Sequence, residues 1–164
     1  MKSLKLAVLF GALSLIFMGC PYESTVPVDD QAKSIVDKSL CGKWEDKSDD
    51  NYTYKVTLDD NLYTIVKKEN KGKDDPITYN GFLSDLNGKT FFNVWEKPAD
   101  AGTIIKYYIY RVDKQSDDRI RLQGMTHNVT EDFDNSQALR DFITKYQDLS
   151  FFWDSSEEVT FLKD

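Results

Sequence analysis

Between Leu40 and Met125 the chain divides into short segments rich in Tyr, Ile, Val, Phe and Thr, separated at hairpin intervals by Asp, Asn and Gly. That rhythm is the signature of strands joined by tight turns, and it confines the chain to an antiparallel β fold. The spacing predicts strands near 40–46, 52–58, 62–68, 77–86, 89–96, 103–112 and 119–125. In the second of these, Tyr52, Tyr54, Val56 and Leu58 alternate with Thr53, Lys55 and Thr57, which puts the large apolar groups on one face. Asn87-Gly88 is the strongest turn signal, because a type I′ hairpin needs positive φ at both central residues. Asp59-Asp60-Asn61 and the stretch from Asp113 to Asp118 mark two more.

The period then changes. Leu139, Phe142, Ile143 and Tyr146 recur at helical spacing after Asp134-Asn135-Ser136, which can cap a helix start, and Val159 to Leu162 read as a last strand. Asp30 can cap a short helix carrying Ile35, Val36 and Leu40. Seven or eight strands in hairpin order with one late helix predict a mainly β fold, an antiparallel meander closed as a barrel or packed as a sandwich. No parallel strand-helix-strand rhythm is visible.

With 164 residues the chain suits one domain with a true core. Its 21 basic and 28 acidic side chains give a net charge of −7, which makes nucleic acid a poor partner. His127 is the single histidine and Cys20 and Cys41 the only cysteines, so zinc sites of the usual His- or Cys-rich kind and CxxC redox pairs are excluded, and neither metal nor cofactor is expected. A serine or cysteine nucleophile would need a base, and no Gly-x-Ser-x-Gly elbow accompanies His127. The acidic pairs, such as Asp59-Asp60 and Asp117-Asp118, sit in turns and read as solvated charges. Asp132, Asp134 and Ser136 open like an EF-hand loop, but Gln137 replaces the turn glycine and Ile143 the bidentate Glu, so helix capping explains them. The expectation is a non-catalytic protein.

At the N-terminus, Lys2 and Lys5 precede an apolar run from Leu6 to Met18 that is too short to span a bilayer and ends at Gly19-Cys20-Pro21. This is the pattern of a secretory signal peptide. Phe17-Met18-Gly19-Cys20 resembles the lipobox of bacterial lipoproteins, with Phe17 in place of the usual aliphatic residue. The resemblance implies cleavage before Cys20 and a diacylglycerol thioether on its sulfur, which anchors the protein without a span. In enteric lipoproteins an Asp after the cysteine retains the protein at the inner membrane. Pro21 stands there, which implies lipid anchoring to the outer membrane of the cell envelope, periplasmic or surface-exposed. With Cys20 lipidated, Cys41 has no partner for an intramolecular disulfide. The organisation expected is a signal peptide over 1–19, then a lipidated cysteine, tether and short leading helix over 20–38, then the β domain over 39–164. Residues 21–29, without periodicity, read as the tether, with a reach of roughly 30 Å when extended.

Leu40, Gly42 and Trp44 resemble the Gly-x-Trp opening of the lipocalin-like (calycin) families, and the short leading helix, the meander and the late helix fit the same pattern. The resemblance implies a lipocalin-like barrel of about eight strands in which an arginine from a late strand stacks on Trp44 and closes one end. Arg119 and Arg121 are the candidates.

Aromatic residues crowd the strands. Tyr54, Tyr63, Tyr79, Trp95, Tyr108 and Tyr110 are the candidates to contact a small hydrophobic ligand, with phenol hydroxyls as polar handles. The same rings serve equally to fill the barrel, whose interior at eight strands is just wide enough for side chains or one small molecule. Two readings stand at this point: a membrane-anchored carrier of a small hydrophobic ligand, and an accessory lipoprotein with a filled core that binds another envelope protein.

Overall fold

The computed structural model describes residues 22–72, 74–98, 100 and 103–164. The expected signal peptide over 1–19 and the expected lipidation site Cys20 lie outside the described residues. The strands are β1 (Glu23–Ser24), β2 (Gly42–Asp46), β3 (Tyr52–Asp59), β4 (Leu62–Glu69), β5 (Ile77–Leu86), β6 (Lys89–Glu96), β7 (Tyr107–Ser116), β8 (Arg119–Met125) and β9 (Trp153–Lys163). One helix, α1 (Ser136–Tyr146), stands between β8 and β9. From β2 to β9 each strand pairs antiparallel with the next, and β9 returns to β2 through Trp44 opposite Lys163. The result is a closed eight-stranded antiparallel barrel with one late helix. β1 adds to the free margin of β7, Glu23 opposite Tyr108.

The hairpins follow from local chemistry. Asn87 and Gly88 take φ of 56° and 75°, the positive pair that a type I′ turn requires, and Asp60 turns β3 into β4 with φ of 55°. These turns and the β7–β8 turn lie at one end of the barrel. The longer connections β2–β3, β4–β5, β6–β7 and β8–β9 lie at the other.

Alternation divides the apolar residues into two cores. Trp44, Tyr63, Ile65, Leu83, Phe92, Val94 and Ile120 face the barrel interior. Leu86, Phe91, Ile109, Met125 and Trp153 face outward, where Leu139 and Ile143 of α1 lie fully buried against them. Each of these two helix side chains contributes about 1.5–3 kcal/mol by leaving water. The helix starts where Asn135 accepts a hydrogen bond from Ala138 N–H at 3.0 Å. Because β5 and β6 are covered on both faces, they read as unbroken buried runs, Gly81 to Ser84 and Phe91 to Trp95.

Three expectations change. Residues 22–29 are not a free tether: Tyr22 is buried against Phe133, and Val28 is fully buried where its N–H donates to Asn93 Oδ1 at 2.7 Å. Scattered polar residues hid this, because the docking uses a buried polar side chain of β6 rather than an apolar repeat. The leading helix is two separate 3₁₀ turns, Gln31–Lys33 capped by Asp30 and Lys38–Leu40 capped by Asp37. Between them Ile35 N–H bonds to Leu83 O, which pulls the backbone into an extended bridge and leaves only Leu40 buried. β7 begins at Tyr107 rather than near 103, since Ile104 pairs with no strand and is 79% exposed.

Candidate functional site

The end of the barrel that carries the tight turns is closed. Leu40 enters it from the second 3₁₀ turn, and Trp44 Nε1–H donates to Leu40 O at 2.8 Å, locking the ring across the base. Trp44 is 2% exposed. Above Leu40, the Tyr63 hydroxyl accepts from Asp37 N–H at 2.8 Å and donates to Asp37 O at 3.0 Å, so this phenol pins the plug rather than facing a ligand.

The cation over Trp44 is a lysine. Lys163 Nζ lies 5.4 Å from the Trp44 ring centroid and donates to Ser39 O at 2.9 Å. Neither arginine expected there closes the barrel. Arg119 is exposed, and Arg121 points outward, where it pairs with Asp113 at 2.6 Å and Glu158 at 3.6 Å. The reason is parity: Ile120 and Leu122 take the inward positions of β8, so both arginines fall on the outer face.

Beyond this base the barrel is hollow. A cavity of about 420 Å³ is lined by all eight barrel strands, mostly with apolar side chains. That volume lies within the range of small-ligand sites, about 300–1,000 Å³. Tyr54, Tyr79, Tyr108 and Tyr110 line it, together with Val94, Leu122 and Phe161. Trp95 does not. Phe92 and Val94 hold the inward positions of β6, and Trp95 packs outside against Phe82 and Tyr107. Four of the six expected rings are thus brought together, with Tyr63 beneath them and Trp95 excluded by alternation.

Burial sets the chemistry of these phenols. It pushes the Tyr54 and Tyr108 hydroxyls up to about 12, aided by nearby carboxylates, and raises Tyr79 as well. They are therefore hydrogen-bond donors throughout the neutral range. Tyr108 donates to Glu23 Oε1 at 3.2 Å, while the Tyr54 and Tyr79 hydroxyls have no hydrogen-bond partner among the described residues.

Lys67 is the charged lining residue that sequence reading passed over. β4 turns Tyr63, Ile65 and Lys67 to the same face, and that parity was available as a signal. Its Nζ stands 4.0 Å from the Tyr52 ring centroid and 5.9 Å from that of Tyr54.

The other depressions are more polar than the barrel cavity. A depression of about 480 Å³ near the Asn87-Gly88 turn is lined by Lys89, Arg111, Asp113, Lys114 and Arg121, several of which already pair with carboxylates. His127 is exposed in the turn after β8. Among the described residues no three metal-ligating side chains gather, and no helix is long and apolar enough to cross a membrane. No protein-family model, curated protein or solved structure matches the chain.

Proposed function

We propose that this is a lipid-anchored, non-catalytic protein of the bacterial cell envelope that holds one small hydrophobic ligand inside a lipocalin-like barrel. The hollow upper half of the barrel carries the reading: about 420 Å³ of largely apolar space, walled by all eight strands and floored by Trp44. A barrel built only to present an outer surface gains more by filling that space, since packing it would add burial at about 25 cal/mol per Å². The Gly-x-Trp start and the helix packed outside the barrel support the calycin resemblance, with Lys163 in the place where the family has an arginine.

The anchoring half of the reading rests on Gly19-Cys20 and on the apolar run before it. Only Pro21 separates Cys20 from the buried Tyr22, so a lipid on Cys20 would hold the barrel against the bilayer instead of on a long leash. Fractionation of cells expressing Cys20→Ser tests this half. Loss of the membrane pool is expected, and an unchanged pool overturns it.

The carrier half is tested on protein beginning at Pro21, which contains every strand and both cores. An apolar fluorescent dye titrated into it should quench tryptophan emission saturably near one equivalent, because Trp44 floors the cavity. Absence of binding across several dyes removes the carrier and leaves the envelope-protein partner as the function to pursue.

A further inference from the structure

The cavity is apolar at its floor, and the polar side chains that line it above are one lysine and four phenols. Trp44, Phe92 and Ile120 make the lower wall. Toward the end with the long connections stand Lys67 and the phenols of Tyr54 and Tyr79. Lys67 is half-buried and makes no ion pair or hydrogen bond among the described residues. Its ammonium lies only against the faces of Tyr52 and Tyr54. Such contacts neutralise no charge.

Acids do surround the mouth. Asp46 and Asp49 act on the Tyr54 phenol, Glu96 acts on those of Tyr79 and Tyr108, and Glu69 shares the inward face of β4. None of them forms a salt bridge with Lys67, although ten other ion pairs form among the described residues. A cation without a counter-ion and two phenols with unused donor capacity, all lining one apolar well, are arranged for an anion that brings its own hydrocarbon.

We propose, building on the ligand-binding reading above, that the cavity takes a single-chain anionic amphiphile. Its carboxylate would pair with Lys67 Nζ and accept from Tyr54 and Tyr79, and its chain would lie over Phe92, Ile120 and Trp44. A charge-assisted hydrogen bond in a partly desolvated site is worth more than a neutral one, so the head group decides preference among chains of equal length.

The test compares dodecanoate, dodecanol and dodecylamine, below their aggregation limits, on protein beginning at Pro21. Dodecanoate is expected to bind about tenfold tighter than dodecanol, and the amine weakest of the three. Lys67→Met keeps the aliphatic stem and should bring acid and alcohol within about twofold of each other, while Lys67→Arg keeps the preference. Equal binding of acid and alcohol by the parent protein overturns the head-group assignment whether or not any variant folds, and so does a preference that survives in Lys67→Met. If the parent binds none of the three and no neutral dye either, the cavity reading itself fails. If it binds the dye and does not discriminate between acid and alcohol, only the present inference fails.

Discussion

Lys163 Nζ stands 5.4 Å from the Trp44 ring centroid while its stem passes directly over Gly42. A Cβ at Gly42 would meet Lys163 Cε at 2.6 Å, and the backbone there has φ of 139°, outside the range that L side chains favour. The glycine, the tryptophan and the lysine therefore form one closure, in which each position constrains the other two. Gly42→Ala is expected to cost about 1–3 kcal/mol, and Trp44→Ala about 3–5 kcal/mol by opening a void in the floor. Chemical denaturation measures both. A Gly42→Ala midpoint equal to that of the parent would show that the lysine stem moves aside freely.

Asn93 is the second polar keystone, on the outer face. It is fully buried, accepts from Val28 N–H at 2.7 Å, and donates to Ser84 Oγ at 2.8 Å and Phe82 O at 3.2 Å. Asn93→Ala would strand the Val28 N–H and the partners on β5 in an apolar setting. The expected loss is about 1–3 kcal/mol, and residues 22–30 should become the first site cut in limited proteolysis. An unaltered cleavage pattern would mean that Tyr22 and the β1 pairing hold the segment without it.

Phenol titration follows from burial. Tyr22, Tyr54 and Tyr108 are raised from 10.0 to about 12, chiefly by desolvation of the charged form. A folded pKa above the unfolded one contributes stability that is complete below pH 10 and declines as pH climbs through about 12. At about pH 11 the phenolate absorbance of the folded protein should fall short of the value for all nine tyrosines, and denaturant at that pH should release the remainder. Full absorbance in the folded state would place these hydroxyls in water.

The strand pattern made most of this fold legible. β3, β4, β5, β6 and β8 begin within a residue of where alternation and turn chemistry put them, because each is bounded by a residue that tolerates or demands a turn. Asn135 capped its helix as its side chain predicts. What sequence could not show was anything set by a partner far along the chain. The capture of Val28 by Asn93 depends on a contact 65 residues away, and the cation on Trp44 is fixed by the β2–β9 register, which places Lys163 opposite it. Trp95 was misplaced for a related reason. On a strand buried on both faces, hydrophobicity carries no sign of which side is the interior, and only the inward positions of Phe92 and Val94 decide it.

The cavity itself depends on a missing side chain. Gly81 faces the interior from β5, and a Cβ there would meet Phe92 Cε2 at 2.6 Å and the Asn93 carbonyl at 3.0 Å. Phe92 stands edge-on to Tyr63 at 5.4 Å and lines the cavity, so its ring lies over the glycine because nothing projects from that position. Gly81→Ala must displace the ring, and the open side is the cavity. The substitution is expected to cost about 1–3 kcal/mol as overpacking and to weaken binding of an apolar dye about fivefold to tenfold. A loss of binding alone could come from general loosening, so the diagnostic is the pair. Phe92→Leu removes the ring edge that the new methyl would strike, and Gly81→Ala with Phe92→Leu should recover most of the affinity. The two effects are then strongly non-additive, as contacting residues require. Additive losses in the double variant would mean that the dye binds somewhere other than the barrel interior.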